Sequence, residues 1–126
     1  MFSHVMIGTN DLEKAKAFYD ALLGTLDVRP AKVDCHRIFY FTKTGVFSVS
    51  KPINGQPATH ANGGTIGFAA NSPEQADAFH AAGLANGGTT CENPPGIREG
   101  SAGKLYLAYL RDLDGNKICA MHRMTT

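Results

Sequence analysis

His4-Val5-Met6-Ile7-Gly8-Thr9-Asn10-Asp11-Leu12-Glu13-Lys14-Ala15-Lys16-Ala17-Phe18-Tyr19 is echoed without a gap by Thr65-Ile66-Gly67-Phe68-Ala69-Ala70-Asn71-Ser72-Pro73-Glu74-Gln75-Ala76-Asp77-Ala78-Phe79-His80. Ala15 falls on Ala76, Ala17 on Ala78, Phe18 on Phe79 and, a turn later, Leu23 on Leu84. In each copy a short alternating segment gives way to a run with apolar residues at helical spacing. Self-similarity of this kind marks a repeated supersecondary unit. Two such units would be related by a pseudo-two-fold axis, and His4 would then face the position of Thr65 across a cleft.

Working outward, Phe2–Gly8 alternates as a strand, with His4 and Met6 on one face and Val5 and Ile7 on the other. Asp11 is an N-cap, and Leu12, Ala15, Tyr19, Leu22 and Leu23 form the buried stripe of a helix that stops at Gly24. Leu26–Asp34, Arg37–Thr42 and Val46–Ser50 read as strands, with a hairpin turn at Lys43-Thr44-Gly45. Lys51–Gly64, rich in Pro, Gly, Asn and Thr, reads as a linker. The second unit repeats the plan: a strand over Gly64–Ala70, then a helix capped by Ser72 with Pro73 in its first turn and Gln75 at capping-box spacing. Thr89–Glu92, Lys104–Leu110 and Asn116–His122 are expected strands, and Asn93–Gly103, with two prolines, an expected loop. The expected class is α+β, two βαβββ modules in tandem forming a concave cleft, within a single domain over residues 1–126. Module one spans 1–51, the linker 52–63 and module two 64–126.

The 126 residues are enough for one hydrophobic core. A net charge of +1 without a basic cluster argues against nucleic-acid and membrane partners, which need a concentrated cationic face. The N-terminus reads straight into a strand, with no basic-then-apolar leader, and Cys35, Cys91 and Cys119 have neither disulfide-like nor metal-like spacing. Free thiols in a cytoplasmic protein are the expectation.

The chain resembles the vicinal oxygen chelate superfamily, which holds glyoxalases, bleomycin-resistance proteins and extradiol dioxygenases. One signature is His4-Val5-x-Ile7, followed by Asp11, Ala15, Ala17, Phe18, Tyr19 and Leu23-Gly24. The other is Asp112-Leu113-Asp114-Gly115-Asn116-Lys117-Ile118, close to the family's Asp-Pro-Asp-Gly-Asn hairpin, with Leu113 in place of the usual Pro. The two signatures and the paired modules cover nearly the whole chain. Members of this superfamily that are enzymes bind one divalent metal (Zn, Ni, Fe or Mn) through His or Glu on the first and last strands of each module. Carried over residue by residue, the resemblance places those positions at His4, Ser48, Thr65 and Cys119. Only His4 keeps a usual ligand, Cys119 would serve only as a thiolate, and Ser48 and Thr65 are poor neutral donors, so loss of the usual metal site is expected.

The cleft is expected to gather His4 and Met6, Ser48 and Ser50, Thr65 and Gly67, and Cys119 and Met121. His4 is its hydrogen-bonding or basic group, and Cys119 its wall or its nucleophile. Arg98, from the proline-bounded loop, would meet an anionic ligand. Tyr106 and Tyr109 differ by an odd number, so one of them faces the cleft; Tyr106 is carried as the ligand-binding candidate. His36 is a candidate for a shifted metal site. Cys119 and His122 lie three apart on one strand and should point to opposite faces. Asp112, Asp114 and Asn116 lack the acidic ligand a calcium loop needs and read as a hairpin turn.

Three classes of function follow: a glyoxalase-type lyase or dioxygenase, a ligand-sequestering protein, and a partner protein without a ligand. The composition of the cleft favours a small, partly apolar, oxygen-bearing molecule bound without the usual metal site. The alternative is a metal-dependent lyase or dioxygenase using His4 and a non-standard ligand set. The family commonly pairs modules between chains, so a homodimer is expected.

Overall fold

The computed structural model describes residues 1–125. Module one comprises β1 (His4–Gly8), α1 (Leu12–Gly24), β2 (Lys32–Asp34), β3 (Arg37–Thr42) and β4 (Gly45–Ser50). Module two comprises β5 (Ile66–Ala69), α2 (Pro73–Ala85), β6 (Thr89–Thr90), β7 (Gly96–Gly100), β8 (Gly103–Arg111) and β9 (Lys117–Arg123). The first sheet has the order β1-β4-β3-β2 and the second β5-β9-β8-β6, with β7 also paired to β8. In each sheet the first and last strands of the module run parallel. The helix joins the first strand to the far side of its sheet. This is the α+β, tandem-module architecture expected from the repeat.

Two strands differ from the sequence reading. Gly96–Gly100 is a strand paired antiparallel with β8, although its glycines and preceding prolines suggest a loop. Pro94 and Pro95 lie just ahead of the ladder, so no hydrogen bond is lost to them. β6 pairs with the C-terminal end of β8 and β7 with its N-terminal half, so the two share one edge. The strand expected from Leu26 begins only at Lys32. The chain is held at the end of α1 by Val28 N–H donating to Leu23 O at 3.1 Å, and Asp27 turns with φ 63°.

Both helices start as their caps dictate. Asp11 Oδ1 accepts from Lys14 N–H at 3.0 Å, and Ser72 Oγ from Gln75 N–H at 3.1 Å. The Gln75 amide reaches back to Asn71 N–H, one residue before the cap. Helix α1 buries Ala15, Phe18, Tyr19, Leu22 and Leu23, and α2 buries Ala76, Phe79 and Gly83. These stripes meet each other and the inner faces of both sheets in one cluster that runs through both modules. Phe47 of β4 packs edge-on against Phe68 of β5 (centroids 5.1 Å apart), and Phe68 meets Phe79 of α2. Burying each such ring contributes about 1.5–3 kcal/mol. An aromatic seam therefore fastens one module to the other.

Polar residues fasten them as well. The Asp112 carboxylate accepts from Tyr19 Oη at 2.6 Å, from Asn116 Nδ2 at 2.9 Å, and from the backbone N–H groups of Asp114 and Asn116. Asn116 Nδ2 also donates to Gly8 O of β1 at 3.1 Å, and Asn10 N–H donates to Asp114 Oδ1. The Asp-x-Asp-Gly-Asn turn thus ties the β8–β9 hairpin to α1 and to the end of β1. A buried carboxylate is tolerated only when its lone pairs are satisfied in this way.

Candidate functional site

In the first sheet the strand register sets the face opposite the helices. His4, Val46 and Phe41 form one row; Met6, Ser48, Phe39 and Lys32 a second; Gly8, Ser50, Arg37 and Asp34 a third. A groove of about 520 Å³ runs over this face, lined by His4, Met6, Lys32, Arg37, Phe39 and Phe41 among others. Phe39 and Phe41 stack at 5.9 Å, and Lys32 Nζ stands 5.9 Å from the Phe41 ring centroid.

A second cavity, of about 300 Å³, opens between this end of module one and β5. Its walls are mostly apolar, including Leu23, Val28, Tyr40, Phe47, Ile66 and Phe68, and His4 and Gly67 touch it too. His4 therefore borders both spaces. It is exposed, and its Nδ1 lies 2.8 Å from Ser3 Oγ. If Ser3 donates, Nε2 carries the proton and can donate to a ligand oxygen; in the other tautomer Nε2 is a base.

The other expected cleft residues are distributed differently. Ser48 is fully buried and donates to Ile38 O at 2.9 Å; Ser50 donates to Lys51 O at 2.7 Å. Both hydroxyls are committed to backbone carbonyls. Thr65 lies just before β5, in a recess of about 70 Å³ with Ile7, Asn116 and Lys117. Gly67 and Cys119 are neighbours: a Cβ on Gly67 would lie 3.4 Å from Cys119 Sγ. Met121 is half-buried opposite Leu107. The expectation that all four strands empty into one concavity within the chain is corrected here. His4 and Gly67 share a cavity, but Ser48, Thr65 and Cys119 do not join them.

Two further placements are corrected. Tyr106 turns toward α2, where its hydroxyl donates to Asp77 Oδ1 at 2.7 Å. Tyr109, in register with Cys119, is the tyrosine of the open face. Arg98 does not swing free, because its Nη2 donates to Asn93 O and Pro94 O at 2.9 and 3.1 Å. Cys119 is buried, and burial pushes its thiol up to about 11, so it is protonated at neutral pH and a weak nucleophile. His122 pairs with Tyr106 in register and so lies on the face opposite Cys119.

The donor set does not fit the divalent metal that the fold family implies. Among the described residues no three His, Cys, Asp or Glu side chains converge. His4 has a serine beside it, Ser48 is already committed, and the Cys119 thiol resists ionisation. His36 borders a groove with Asp11, Glu13 and Cys35, but Asp11 is occupied as the helix cap. No chemical step through a metal is derived for this chain.

A model of the Glyoxalase/Bleomycin resistance protein/Dioxygenase superfamily matches residues 1–120. The chain belongs to this superfamily. A solved glyoxalase/bleomycin resistance protein from Albidiferax ferrireducens T118 is 70% identical, with a TM-score of 0.96 over 98% of this chain and 99% of that one. Two further solved structures share the fold at low identity. A glyoxalase/bleomycin resistance protein/dioxygenase family enzyme from Burkholderia phytofirmans PsJN is 17% identical (TM-score 0.74, 97% and 98% covered). A lactoylglutathione lyase from Agrobacterium tumefaciens is 19% identical (TM-score 0.67, 97% and 92% covered). No curated protein matches the chain. No helix among the described residues is long and apolar enough to cross a membrane.

Sequence reasoning missed Lys32, Arg37, Phe39 and Phe41, and of the pair Tyr106 and Tyr109 it carried the one that turns away from the open face. The signal was present in β3, where Arg37, Phe39 and Phe41 alternate with Ile38 and Tyr40. The family's ligand positions lie on the first and last strands of each module, whereas Lys32 lies on β2 and Arg37, Phe39 and Phe41 on β3.

Proposed function

We propose that the chain binds a small, partly apolar, oxygen-bearing molecule at the place where His4 borders both cavities. The observation that carries this reading is the position of His4, between an apolar cavity of about 300 Å³ and the open groove of module one. A few polar groups set into mostly apolar walls suit such a ligand. The apolar part would rest on Phe47, Phe68 and their neighbours, and His4 Nε2 would meet an oxygen. The superfamily contains both enzymes and binding proteins, and fold alone does not choose between them. The donor set described above favours binding, or a metal-free proton transfer at His4.

The same reading includes a homodimer. Met6 and Phe41 on the open face, and Phe2 at the mouth of the apolar cavity, are 41%, 57% and 69% exposed. Apolar surface so placed beside a ligand site suits coverage by a second copy. The unpaired thiols Cys35, Cys91 and Cys119 agree with a cytoplasmic location. We include neither nucleic acid nor membrane among the partners.

The test is a fragment screen by ligand-observed and ¹H–¹⁵N NMR, together with light scattering at micromolar concentration. Small aromatic alcohols and ketones should shift the amides around His4, and His4→Ala should weaken them. Consistent binding elsewhere, indifferent to His4→Ala, would refute the site, and a monomer would refute the dimer. One tightly held Zn, Ni, Fe or Mn per chain, lost on His4→Ala, would instead establish the metal-dependent alternative.

A further inference from the structure

We propose that the open face of module one carries an anion subsite, with Arg37 as the residue that takes a carboxylate borne by an aromatic or flat apolar ligand. This rests on the reading of the His4 face as a ligand site and adds to it the charge of the ligand.

Arg37 opens β3, in the row Gly8–Ser50–Arg37–Asp34. Its Nε is buried and has no hydrogen-bond partner among the described residues. No ion pair there involves it either: the salt bridges are Lys16–Asp20, Lys104–Glu99 and Lys117–Glu92. Asp34, directly across the hairpin, is exposed and is not within ion-pair distance. A guanidinium offers five donors in a planar fork and loses stability when a buried N–H goes unmatched. The Nε itself is shielded, but the residue is half-buried and lines the open groove, so an acceptor from outside would meet the terminal N–H groups of the guanidinium.

The surroundings specify which acceptor. Arg37 lines the same groove as Lys32 and His4, so two cations and an imidazole border one space. Phe39 and Phe41, stacked side by side, supply a flat apolar floor within it. A planar carboxylate matches the arginine fork through two parallel hydrogen bonds, and an attached ring would lie along the phenylalanines. Asp34 at the rim would turn away a ligand carrying a second anionic group on that side.

The probes are benzoate and benzamide, which share a shape and differ in charge. The folded, full-length ¹⁵N-labelled protein would be titrated with each, following the Arg37 Nε–Hε signal and the amides of His4, Phe39 and Phe41. Benzoate is expected to bind about ten-fold or more tightly than benzamide, as a charge-assisted pair requires, and to shift the Arg37 side-chain signal. Arg37→Gln should bring benzoate down to the level of benzamide and leave benzamide unchanged. Arg37→Lys, which keeps the charge, should retain part of the preference and so separates lost recognition from lost folding. Equal affinities in the unaltered protein would overturn the carboxylate subsite while leaving a neutral-ligand site standing. A benzoate preference that survives Arg37→Gln would overturn the role of Arg37. If neither benzoate nor benzamide perturbs this face, both this subsite and the proposed function are overturned. Dissociation of a dimer by Arg37→Gln, with no benzoate binding to the unaltered protein, would show that Arg37 meets a second copy and would also overturn the proposal.

Discussion

Tyr19 Oη and Asp112 Oδ2 stand 2.6 Å apart, although 93 residues separate them in the chain. One lies on α1 of module one and the other at the end of β8 in module two, so their hydrogen bond is a strut between modules. The carboxylate keeps three other donors: the Asn116 amide and the N–H groups of Asp114 and Asn116. Tyr19→Phe removes one donor without disturbing the aromatic packing. The expected loss is about 1.5–3 kcal/mol, the usual worth of a buried hydrogen bond to a charged group. Urea unfolding followed by circular dichroism measures it, and a loss below a few tenths would show that the strut contributes little.

The same tyrosine sets an alkaline limit. Burial raises the Tyr19 pKa well above its ordinary 10.0, and the neighbouring Asp112 charge raises it further. Tyr40 is raised likewise by burial, and then by its hydrogen bond to Asp20. A group whose folded pKa exceeds its unfolded one contributes stability that is complete below the unfolded value and is lost as pH rises above it. Stability should therefore hold to about pH 10 and fall beyond it. The double variant Tyr19→Phe, Tyr40→Phe should be less stable at pH 8 but show a flatter decline above pH 10. A decline as steep as that of the unaltered protein would locate the alkaline sensitivity elsewhere.

Thiol reactivity should order the cysteines by environment. Cys35 is exposed in the β2–β3 turn, Cys91 is half-buried, and Cys119 is buried with its thiol pushed up to about 11. Alkylation proceeds through the thiolate and needs access. With iodoacetamide at pH 7.5, peptide mapping should show Cys35 modified first and Cys119 last, protected until the chain is unfolded in urea. Early modification of Cys119 in the folded protein would revive it as a nucleophile.

The modules were legible because a helix stripe and an alternating strand recur at one spacing, and each imposes its own period on buried side chains. The Asp112–Asn116 turn was legible as a turn, but its buried contact with Tyr19 was not. Spacing within one element says nothing of what packs on it from 93 residues away. For the same reason the sequence placed His4 and Met6 on one face correctly and could not say whether Ser48 would be available. Its hydroxyl went to Ile38 O, which depends on the β3–β4 pairing. Strand β7 was hidden because Gly96 and Gly100 resemble loop residues, while the ladder to β8 that makes it a strand is non-local. Arg37 looked like the start of an ordinary strand. Only its place on the groove, with a shielded Nε that has no partner among the described residues, distinguishes it.

Two helix glycines should respond in opposite directions to alanine. In α2, a Cβ at Gly83 would lie 2.1 Å from Leu110 Cδ1 and 3.1 Å from Leu22 Cδ1. Leu110 and Leu22 are both fully buried, so neither can turn aside into free space. Helix propensity favours alanine over glycine by about 1 kcal/mol, but overpacking a tight core costs about 1–3 kcal/mol and here acts on two side chains. Gly83→Ala should therefore destabilise the protein on balance, and it should loosen α2 from the second sheet. At Gly24, the last residue of α1, a Cβ would meet nothing within 4 Å. The propensity gain is then unopposed, and Gly24→Ala should stabilise by about 0.4–1 kcal/mol. Thermal unfolding of the two variants beside the unaltered protein checks both signs. A stabilised Gly83→Ala would mean that the Leu110 and Leu22 side chains repack together, and that the close approach of α2 to β8 is less rigid than its contacts imply.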